Sequence, residues 1–408
     1  MTTLAVILSG RLAGWMEQDG QVRFHYDPGF LNGAGADSAG LSVSMAPSPQ
    51  TFRQRVVLPW IDGLLPDNAQ VRERWAARFG VSARNPFALL VHMGRDCPGA
   101  VQFCPPDDLA DTLAWKGELI PVSNTQLAAR LRELRDEPDT WAAEREQWSL
   151  GGAQSKFALA WDDGWHTATG ARPTTHIIKL GVRGFRGQAL NEHLCMSAAR
   201  LLGVPAAETS YELIEGEPAL IISRFDRKPG RRIHQEDLCQ ALSIPPAKKY
   251  EQSGGPGAAK LCDLLNAYGT ADDVWRFAEA LAYNYLIGGS DAHAKNFSLL
   301  LDGRVTLAPL YDLASSLPYQ PATGTGLAQL AMAIAGERNF GQVGDQHWAK
   351  LSRRAGIPAE RLVQRVRELR HDLPDAISTA INATAAAKAS DLPERLQTTL
   401  AAYLRASN

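Results

Sequence analysis

A hairpin signal in the second half of the chain constrains its fold more than any other feature. Asp302-Gly303 separates two apolar runs, of which the first follows Asn296 and the second precedes Asp312. Asp-Gly in this setting is typical of a tight β-hairpin, because both residues tolerate the positive φ of a type I′ turn. Such a hairpin brings Asn296 and Asp312 together, with Asp291 a loop's width away. We therefore predict two oxygen ligands for a hard cation beside a third carboxylate that can accept a proton.

Protein kinases use side chains in this order: a catalytic-loop Asp, an Asn five residues later and a metal-binding Asp after a hairpin. Asp291, Asn296 and Asp312 match those three positions. The alternative is that all three are ordinary turn residues, since Asp and Asn are common in turns. Other parts of the chain have to separate these two interpretations.

The composition is that of a globular protein without a strong bias of charge. Of its 408 residues 45% are hydrophobic and 21% charged, which is enough for two or three domains, and the formal net charge is −2. No global field therefore favours nucleic acid or an anionic membrane. No apolar run is long enough to cross a bilayer, and the start of the chain reads as a first strand rather than a signal peptide. We expect no membrane contact.

The cysteines predict a reducing compartment. There are five, an odd number, and no C-x-x-C pair occurs among them. Cys97 and Cys104 have a poor spacing for zinc. Free thiols in the cytoplasm are the simplest interpretation.

The order of the predicted elements divides the chain into four parts. These are an α+β unit over 1–110, a connector over 111–148, a mainly β part over 149–225 and a mainly helical part over 226–408. In the first part, alternation predicts strands at 22–26 and 41–45, and helical spacing predicts a helix over 69–79. The connector reads as one helix from about 123 to 148.

Strands and helices are segregated in the remaining chain. We predict strands over 157–161, from 165 onward, over 175–180, 211–214 and 219–222, with one helix from about 191 to 203. We predict later helices over 235–242, 257–268, 272–287, 346–355, 358–386 and 393–405. This segregation favours an α+β fold over a sheet wound with alternating helices.

Two further signals point to a nucleotide site. Gly151 and Gly152 precede a strand, where glycine lets the backbone approach a phosphate, although an ordinary turn explains them equally well. Lys179 ends an apolar strand, and Glu192 lies thirteen residues later in the next helix. A strand Lys paired with a helix Glu positions phosphates in kinases. The alternative is a solvated Lys and a first-turn Glu favoured by the helix dipole.

The order of these signals along the chain favours a bilobal kinase over coincidence. In that layout, the backbone of 223–225 joins the two halves and pairs with the adenine edge. His293 and Lys295 either contact phosphate or support their own loop; Lys295 is favoured for phosphate because a cation stabilises the transferring group.

A basic cluster surrounds the turn after this junction. It reads either as a solvated hairpin or as a site for an acidic partner or a phosphate backbone. Its members are Arg224, Arg227, Lys228, Arg231 and Arg232.

Taken together, the motifs resemble the HipA family of serine/threonine kinases, the toxins of type II toxin–antitoxin pairs. The matching strings are SLGGAQSK (149–156), HIIKL (176–180), RFDR (224–227), QEDLCQ (235–240), KYE (249–251), GGPG (254–257), DAHAKNF (291–297) and YD (311–312), with LLPDN (64–68) for the family's N-terminal domain. The resemblance implies a bilobal protein-kinase-like fold: a small, mainly antiparallel β N-lobe, a large helical C-lobe and an extra N-terminal α+β subdomain.

The resemblance also implies roles for single residues. Asp291 is implied as the catalytic base, Asn296 and Asp312 as ligands of Mg²⁺, and Ser149 as the site of autophosphorylation. The residues implied to bind ATP and its metal are Gly151, Gly152, Ala153, Gln154, Ser155, Lys156, Lys179, Glu192, Ser223, Arg224, Phe225, His293, Lys295, Asn296 and Asp312. Ser155 stands where the family often has an acidic residue and adds a second hydroxyl to the loop.

The partners follow from the same resemblance. Family members phosphorylate an aminoacyl-tRNA synthetase and bind a small helix-turn-helix antitoxin like HipB, so nucleic acid is reached only through the antitoxin. Two alternatives stay open at this stage. One is a small-molecule phosphotransferase on the same scaffold, and the other is a nucleotide-binding scaffold that does not catalyse.

Overall fold

The computed structural model describes residues 1–33, 40–319 and 329–407. Its N-terminal unit, residues 1–33 and 40–113, is built on an antiparallel sheet with the strand order β4-β3-β2-β1-β5. The strands are β1 Thr2–Leu8, β2 Arg11–Asp19, β3 Gln21–Tyr26, β4 Phe52–Arg53 and β5 Val101–Cys104. The helices are α1 Pro28–Gly33, α2 Gln54–Gly63, α3 Ala69–Phe79, α4 Pro86–Met93 and α5 Leu109–Leu113. The strand predicted at 22–26 and the helix predicted at 69–79 are thus confirmed.

Local sequence explains the bounds of α3. The Asn68 side chain accepts hydrogen bonds from the backbone N–H groups of Gln70 and Val71, which satisfies donors of the first turn. Gly80 ends the helix in the left-handed region, with φ of 65°. Both signals are visible in the sequence, so the prediction succeeded.

The strand predicted at 41–45 is wrong. The segment forms a tight turn, in which the Met45 N–H donates to the Ser42 carbonyl at 2.9 Å. The Tyr26 hydroxyl holds both ends, because it accepts from the Leu41 N–H and donates to the Met45 carbonyl. This contact with β3 overrides the alternating pattern.

The second sheet is the core of the N-lobe and is antiparallel throughout, with the order β10-β11-β9-β7-β8-β6. Its strands are β6 Leu119–Pro121, β7 Lys156–Trp161, β8 Trp165–Ala168, β9 His176–Lys179, β10 Thr209–Ile214 and β11 Glu217–Ser223. Helix α7, Gln188–Leu201, connects β9 to β10 and packs against β10 and β11. Strand β6 comes from the stretch that the sequence suggested to be a connector.

The connector helix is shorter than predicted. Helix α6 spans Asn124–Asp136 and begins with a capping box between Ser123 and Gln126. It ends well before residue 148, so the second half of the predicted helix is wrong. Pro138 disfavours the helical region for the residue before it, and Glu137 accordingly has ψ of 87°.

The C-lobe is mainly helical. Its helices are α8 Leu238–Ala241, α9 Ala258–Tyr268, α10 Ala271–Leu286, α11 Asp345–Ala355, α12 Ala359–Ala383 and α13 Leu392–Ala406. Its strands are the ribbon β12 Arg227–Lys228 and β13 Arg231–Arg232, and a sheet of β14 Gln235–Asp237, β15 Ser298–Asp302 and β16 Arg304–Leu307. The helix predicted over 235–242 is therefore wrong in its first half. Asp237 caps the short helix with Gln240, and β14 pairs with β15.

The predicted hairpin is confirmed, but its turn differs from the expected type. Asp302 pairs with Arg304 across the β15–β16 ladder, which leaves Gly303 alone at the tip. Gly303 has a positive φ of 77°, whereas the φ of Asp302 is not positive. The turn is therefore not of type I′, in which both central residues have positive φ.

The two larger hydrophobic clusters of the described residues connect the parts of the molecule. One joins the N-terminal unit to the N-lobe sheet, since Trp60 and Phe103 belong to the same buried cluster as Phe157 and Ile178. The other is centred on α10 and joins the C-lobe helices to α7. Because the N-terminal unit shares its core with the N-lobe, it is part of the kinase-like body.

The basic cluster is largely internal. Arg224 and Arg232 are buried, and the Arg227 side chain is only 4% exposed. All three pair with the buried carboxylates of Asp96 and Asp226. We call these five residues the hinge cluster. Its three arginines all form ion pairs inside the protein. They are therefore neither part of a solvated hairpin nor available to bind a phosphate backbone.

Over the described ranges, no helix has the length and apolar character needed to cross a membrane. All five cysteines are buried free thiols.

Candidate active site

One cleft of about 520 Å³ between the lobes collects most of the predicted site residues. Its lining includes Asp291, Asn296 and Asp312, the three side chains around the hairpin. The loop that carries the first two is folded on itself, because the Asn296 side-chain amide donates to the Asp291 carbonyl at 2.8 Å. This bond uses the amide nitrogen and leaves the amide oxygen of Asn296 for another partner.

Lys179 links the two lobes across the cleft. Its Nζ lies 2.7 Å from Glu192 Oε1 in α7 and also forms an ion pair with Asp312. Burial alone would lower the pKa of Lys179, but the charges of Asp312 and Glu192 outweigh burial and raise the pKa above its ordinary value. Lys179 therefore carries a positive charge at neutral pH.

The two carboxylates beside Lys179 differ. The Asp312 side chain is partly buried, with 35% of it exposed. Its desolvation would raise the pKa, but Lys179 and then Lys156 lower the pKa of Asp312 below its ordinary range. Burial raises the pKa of Glu192 more than Lys179 lowers it. Asp312 also has a positive φ of 56°, a strained conformation for a residue with a side chain. Strain of this kind clusters at functional sites.

Asp291 lies at the exposed end of the cleft. The Tyr250 hydroxyl donates to Asp291 Oδ1 at 2.6 Å, and the Tyr250 ring packs edge-on against His293 at 4.8 Å. Burial raises the pKa of Tyr250, and its bond to Asp291 raises it further. The hydroxyl thus stays protonated and remains a donor to Asp291.

The Gly loop, residues 149–156, packs beneath the N-terminal unit. Ser149 is fully buried; its Oγ donates to the Leu64 carbonyl at 2.8 Å and its N–H to the Asp96 carbonyl at 3.0 Å. Gly152 has φ of 91°, which a residue with a side chain rarely adopts. Glycine is required at this position by the backbone itself.

Lys156 ends the Gly loop and points back to it. Its Nζ donates to the Gly151 carbonyl at 2.6 Å. Burial and then repulsion from Lys179 lower the pKa of Lys156 to about 8. The pKa of Lys156 is therefore shifted in the opposite direction from that of Lys179.

The other loop residues are placed differently from one another. Ala153 and Gln154 line the cleft, and the Gln154 amide donates to Gln188 Oε1 at 3.1 Å. Ser155 is not among the cleft-lining residues, and its Oγ donates to the Pro138 carbonyl at 2.8 Å.

The junction 223–225 lines the opposite side of the cleft. The Ser223 N–H donates to the Glu208 carbonyl at 2.9 Å, and the Arg224 N–H donates to the Thr175 carbonyl at 3.0 Å. The Phe225 ring stacks on Tyr311 at 6.0 Å. The Arg224 side chain belongs to the hinge cluster, so it positions the junction from behind.

Lys295 and His293 line the cleft but make contacts inside the protein. Lys295 Nζ is buried and lies 3.0 Å from Asp237 Oδ2 and 3.1 Å from the Gly63 carbonyl. His293 is also buried, and its Nδ1 has no hydrogen-bond partner within the described residues. Burial lowers the pKa of His293. Through these contacts, Lys295 supports the loop 291–297 from below.

The donor set fits magnesium. The described residues contain no group of three or more His, Cys, Asp or Glu side chains arranged around a metal position. Mg²⁺ needs no such group, because it keeps waters and is bound by one or two protein ligands together with substrate phosphates. The Asn296 amide and the Asp312 carboxylate provide that number of oxygen ligands.

Comparison with known proteins identifies the family. The HipA N-terminal domain matches residues 4–104, and the HipA-like C-terminal domain matches residues 148–377. The protein Y4mE of Sinorhizobium fredii is 32% identical over 395 residues, which cover 93% of this chain and 92% of that protein. This chain belongs to the HipA family.

Two further likenesses agree with this membership. The serine/threonine-protein kinase toxin HipA of Shewanella oneidensis is 29% identical over 349 residues, which cover 78% of this chain and 76% of that protein. The solved HipA, HipB and operator DNA complex of the same organism has a TM-score of 0.79 at 24% identity, covering 98% of this chain and 96% of the matched chain. The α+β, bilobal kinase-like fold is thereby confirmed, and the chain is a HipA-type protein kinase.

Sequence reasoning missed several polar residues of this HipA-family cleft. Asp67, Asp237, Lys249 and Tyr250 all line or border it. They lie in LLPDN, QEDLCQ and KYE, which resemble the family but contain no catalytic motif of their own. The available signal was weak, since nothing local in LLPDN or KYE predicts an approach to a loop that is distant in sequence.

Proposed function

We propose that this HipA-family kinase uses ATP and Mg²⁺ to phosphorylate serine or threonine and acts as the toxin of a type II toxin–antitoxin pair. One observation carries the proposal. The Lys179–Glu192–Asp312 network and the Asp291–Asn296 loop face the same cleft. In kinases, the first arrangement holds nucleotide phosphates and the second handles the acceptor hydroxyl.

Each of these side chains has a task in the proposed transfer. Asp291 orients the acceptor hydroxyl and takes its proton. Lys179 holds the phosphates, and Glu192 holds Lys179. Asn296 and Asp312 would hold Mg²⁺, which neutralises charge on the phosphate oxygens when bound.

The nucleotide would lie between the Gly loop and the junction 223–225. The glycines and Ala153 give the phosphates access to backbone N–H groups, and Lys156 adds a cation at the end of the loop. Because the N–H groups of Ser223 and Arg224 already donate to carbonyls, the backbone of Phe225 is the remaining N–H donor for an adenine edge.

Ser149 is proposed as a site of self-inactivation. Phosphorylation adds close to two negative charges and bulk at a hydroxyl that is fully buried in this structure. The modified residue cannot stay under Leu64, so the Gly loop would have to leave and the phosphate site would be lost.

The partners are proposed from the relatives and from the surface. The neighbour from Shewanella oneidensis was solved with HipB and operator DNA, which supports a HipB-like helix-turn-helix antitoxin for this chain. We expect contact with nucleic acid only through that antitoxin, since the hinge arginines are used internally. The proposed substrate is an aminoacyl-tRNA synthetase in the cytoplasm, and the five free thiols suit that compartment.

The decisive experiment removes the proposed base. Asp291→Ala should lower transfer from γ-labelled ATP by at least about a hundredfold, the usual contribution of a general base, and should abolish growth inhibition. The matched control is Asp302→Ala, an exposed carboxylate at the hairpin tip that pairs with Arg231. Phosphoproteomics after induction identifies the protein acceptor, and a metabolite screen tests the small-molecule alternative. Full labelling by Asp291→Ala would refute the assignment of the base.

A further inference from the structure

Asp67 lies where the N-terminal unit meets the phosphate end of the cleft. It follows α2 and precedes α3, and it lines the cleft although it belongs to neither lobe. Its side chain is only 12% exposed. A largely covered carboxylate needs partners, and Asp67 contacts three different parts of the kinase through its backbone and its side chain.

The first partner is the Gly loop. The backbone N–H of Asp67 donates to the Gly152 carbonyl at 2.8 Å, and Pro66 forms a parallel bridge with Gly152. Beside this bond the packing is close, because a Cβ added at Gly151 would lie 2.9 Å from the Gly63 carbonyl. The contacts of segment 63–67 therefore fix the position of the Gly loop over the cleft.

The other two partners are cations on the catalytic side. Lys249 Nζ lies 2.9 Å from Asp67 Oδ2, and Lys295 Nζ lies 3.8 Å from Asp67 Oδ1. Lys295 belongs to the catalytic loop, and Lys249 precedes Tyr250, whose hydroxyl donates to Asp291. Burial would raise the pKa of Asp67, but Lys295 and Lys249 lower it, so the side chain is an anion at neutral pH.

We propose that Asp67 is a positioning residue of the phosphotransfer site. Its backbone holds the Gly loop, and its carboxylate binds Lys249 and lies at the outer limit of an ion pair with Lys295 behind the catalytic loop. One residue of the N-terminal unit thus sets the distance between the nucleotide side and the acceptor side. The inference rests on the proposed kinase function and assigns to the N-terminal unit a part in the transfer step.

We expect a change at Asp67 to misalign the reacting groups without weakening nucleotide binding. Asp67→Asn keeps the backbone bond to Gly152 but removes the charge that holds Lys249. Removing an anion from a cleft that receives phosphates does not weaken their binding electrostatically. Misplacement of reacting groups by about 1 Å, however, costs up to about a hundredfold in rate.

The test separates rate from binding in the full-length protein. For Asp67→Asn we expect the maximal rate of labelling of the protein acceptor, identified by phosphoproteomics, from γ-labelled ATP to fall at least about tenfold. We expect the Kd of the non-hydrolysable analogue AMPPNP with Mg²⁺, measured by calorimetry, to change by less than about threefold. The matched control is Asp111→Asn, which lies in the same unit, breaks an exposed pair with Lys116 at 3.1 Å and should leave both quantities within about twofold.

A double-mutant cycle keeps the proposal falsifiable if one variant folds poorly. Lys249→Met should slow labelling as Asp67→Asn does, and the double variant should be no slower than the slower single one, because both remove the same contact. Asp67→Glu retains the charge and should recover most of the rate. The inference would be overturned if the two substitutions slowed labelling independently, so that their effects multiply in the double variant. It would also be overturned if Asp67→Asn lost thermal stability, AMPPNP binding and rate together. Absence of labelling in the parent protein would instead refute the kinase proposal itself.

Discussion

At the scale of single residues, two buried lysines in one cleft have opposite electrostatic states. Lys179 lies between Glu192 and Asp312, which keep it charged. Lys156 has the Gly151 carbonyl as its hydrogen-bond acceptor, and its pKa is lowered to about 8, first by burial and then by Lys179. Lys156 is therefore the group whose charge responds when phosphates enter.

We expect nucleotide binding to take up a proton at alkaline pH. At about pH 9, above the pKa of about 8, Lys156 is mostly neutral in the free protein. Phosphate charges favour the protonated amine and raise its pKa, so binding draws a proton from the buffer. At about pH 6.5, the amine is already charged and uptake should vanish. Calorimetry of AMPPNP in two buffers of different ionisation enthalpy measures the uptake.

Lys156→Met is the control for this uptake. It removes the titrating group, so the two buffers should then give the same binding enthalpy at about pH 9. Equal uptake in the parent and in Lys156→Met would show that another group is responsible.

At the scale of elements, the hinge cluster attaches the loop before β5 to the junction between the lobes. The Asp96 carboxylate pairs with Arg227 and Arg232 and accepts from the Thr174 N–H, while its carbonyl accepts from the Ser149 N–H. One residue thus connects the junction to the Gly loop. All of these partners are far from Asp96 in sequence, so no local pattern announces them.

Asp96→Asn should destabilise the fold strongly, because breaking a buried ion pair leaves arginines without their counter-charge. We expect the free energy of unfolding to fall by about 3 kcal/mol or more in urea titrations at neutral pH. Asp302→Asn, which affects the exposed pair with Arg231, should change it by less than about 0.5 kcal/mol. A loss at Asp96 as small as that at Asp302 would contradict the assignment.

The hinge cluster also predicts how the free energy of unfolding depends on pH under acidic conditions. The arginines outweigh burial and lower the pKa of both Asp96 and Asp226 below the ordinary value. A lowered pKa means that the unfolded chain binds protons first, so the stabilisation is present above about pH 4 and is lost as the pH falls below it. Urea titrations between about pH 6 and pH 3 should show this loss, and Asp96→Asn should make it smaller.

At the scale of the whole molecule, the N-terminal unit covers the Gly loop and shares a core with the N-lobe. Trp60 and Phe157 belong to one buried cluster, and Ser149 donates to Leu64 at the edge of that cluster. The closed position of the loop is therefore stabilised by a domain that lies outside the two lobes.

Ser149→Asp should release the Gly loop, because a carboxylate cannot donate a hydrogen bond to the Leu64 carbonyl as the Ser149 hydroxyl does, and a charge is costly to bury at this position. Hydrogen exchange over residues 149–156 should become fast, and the Kd of AMPPNP should rise at least about tenfold, since backbone donors to phosphate are lost. Ser149→Ala, which removes one hydrogen bond without adding charge, should keep the loop protected. Protection that is equal in both variants would argue against an expelled loop.

The sequence sufficed for features that depend on local signals. The helix over 69–79 has its cap and its terminal glycine in sequence, and the hairpin around Gly303 has its apolar runs. The chain order of Lys179, Glu192 and Asp312 was enough to predict that those residues lie in one cleft. The turn at 41–45, the strand Gln235–Asp237 and the role of Asp67 were missed, because each is determined by partners more than a dozen residues away.

Burial of Ser149 has a consequence for timing. A hydroxyl with no solvent exposure is out of reach of any active site, including the protein's own, for as long as the loop is closed. The proposed phosphorylation of Ser149 therefore has to wait for spontaneous opening of the Gly loop. The interval between synthesis and the proposed self-inactivation is then governed by how often the hydrogen bonds to Leu64 and Asp96 break, and tighter packing of the loop would lengthen it.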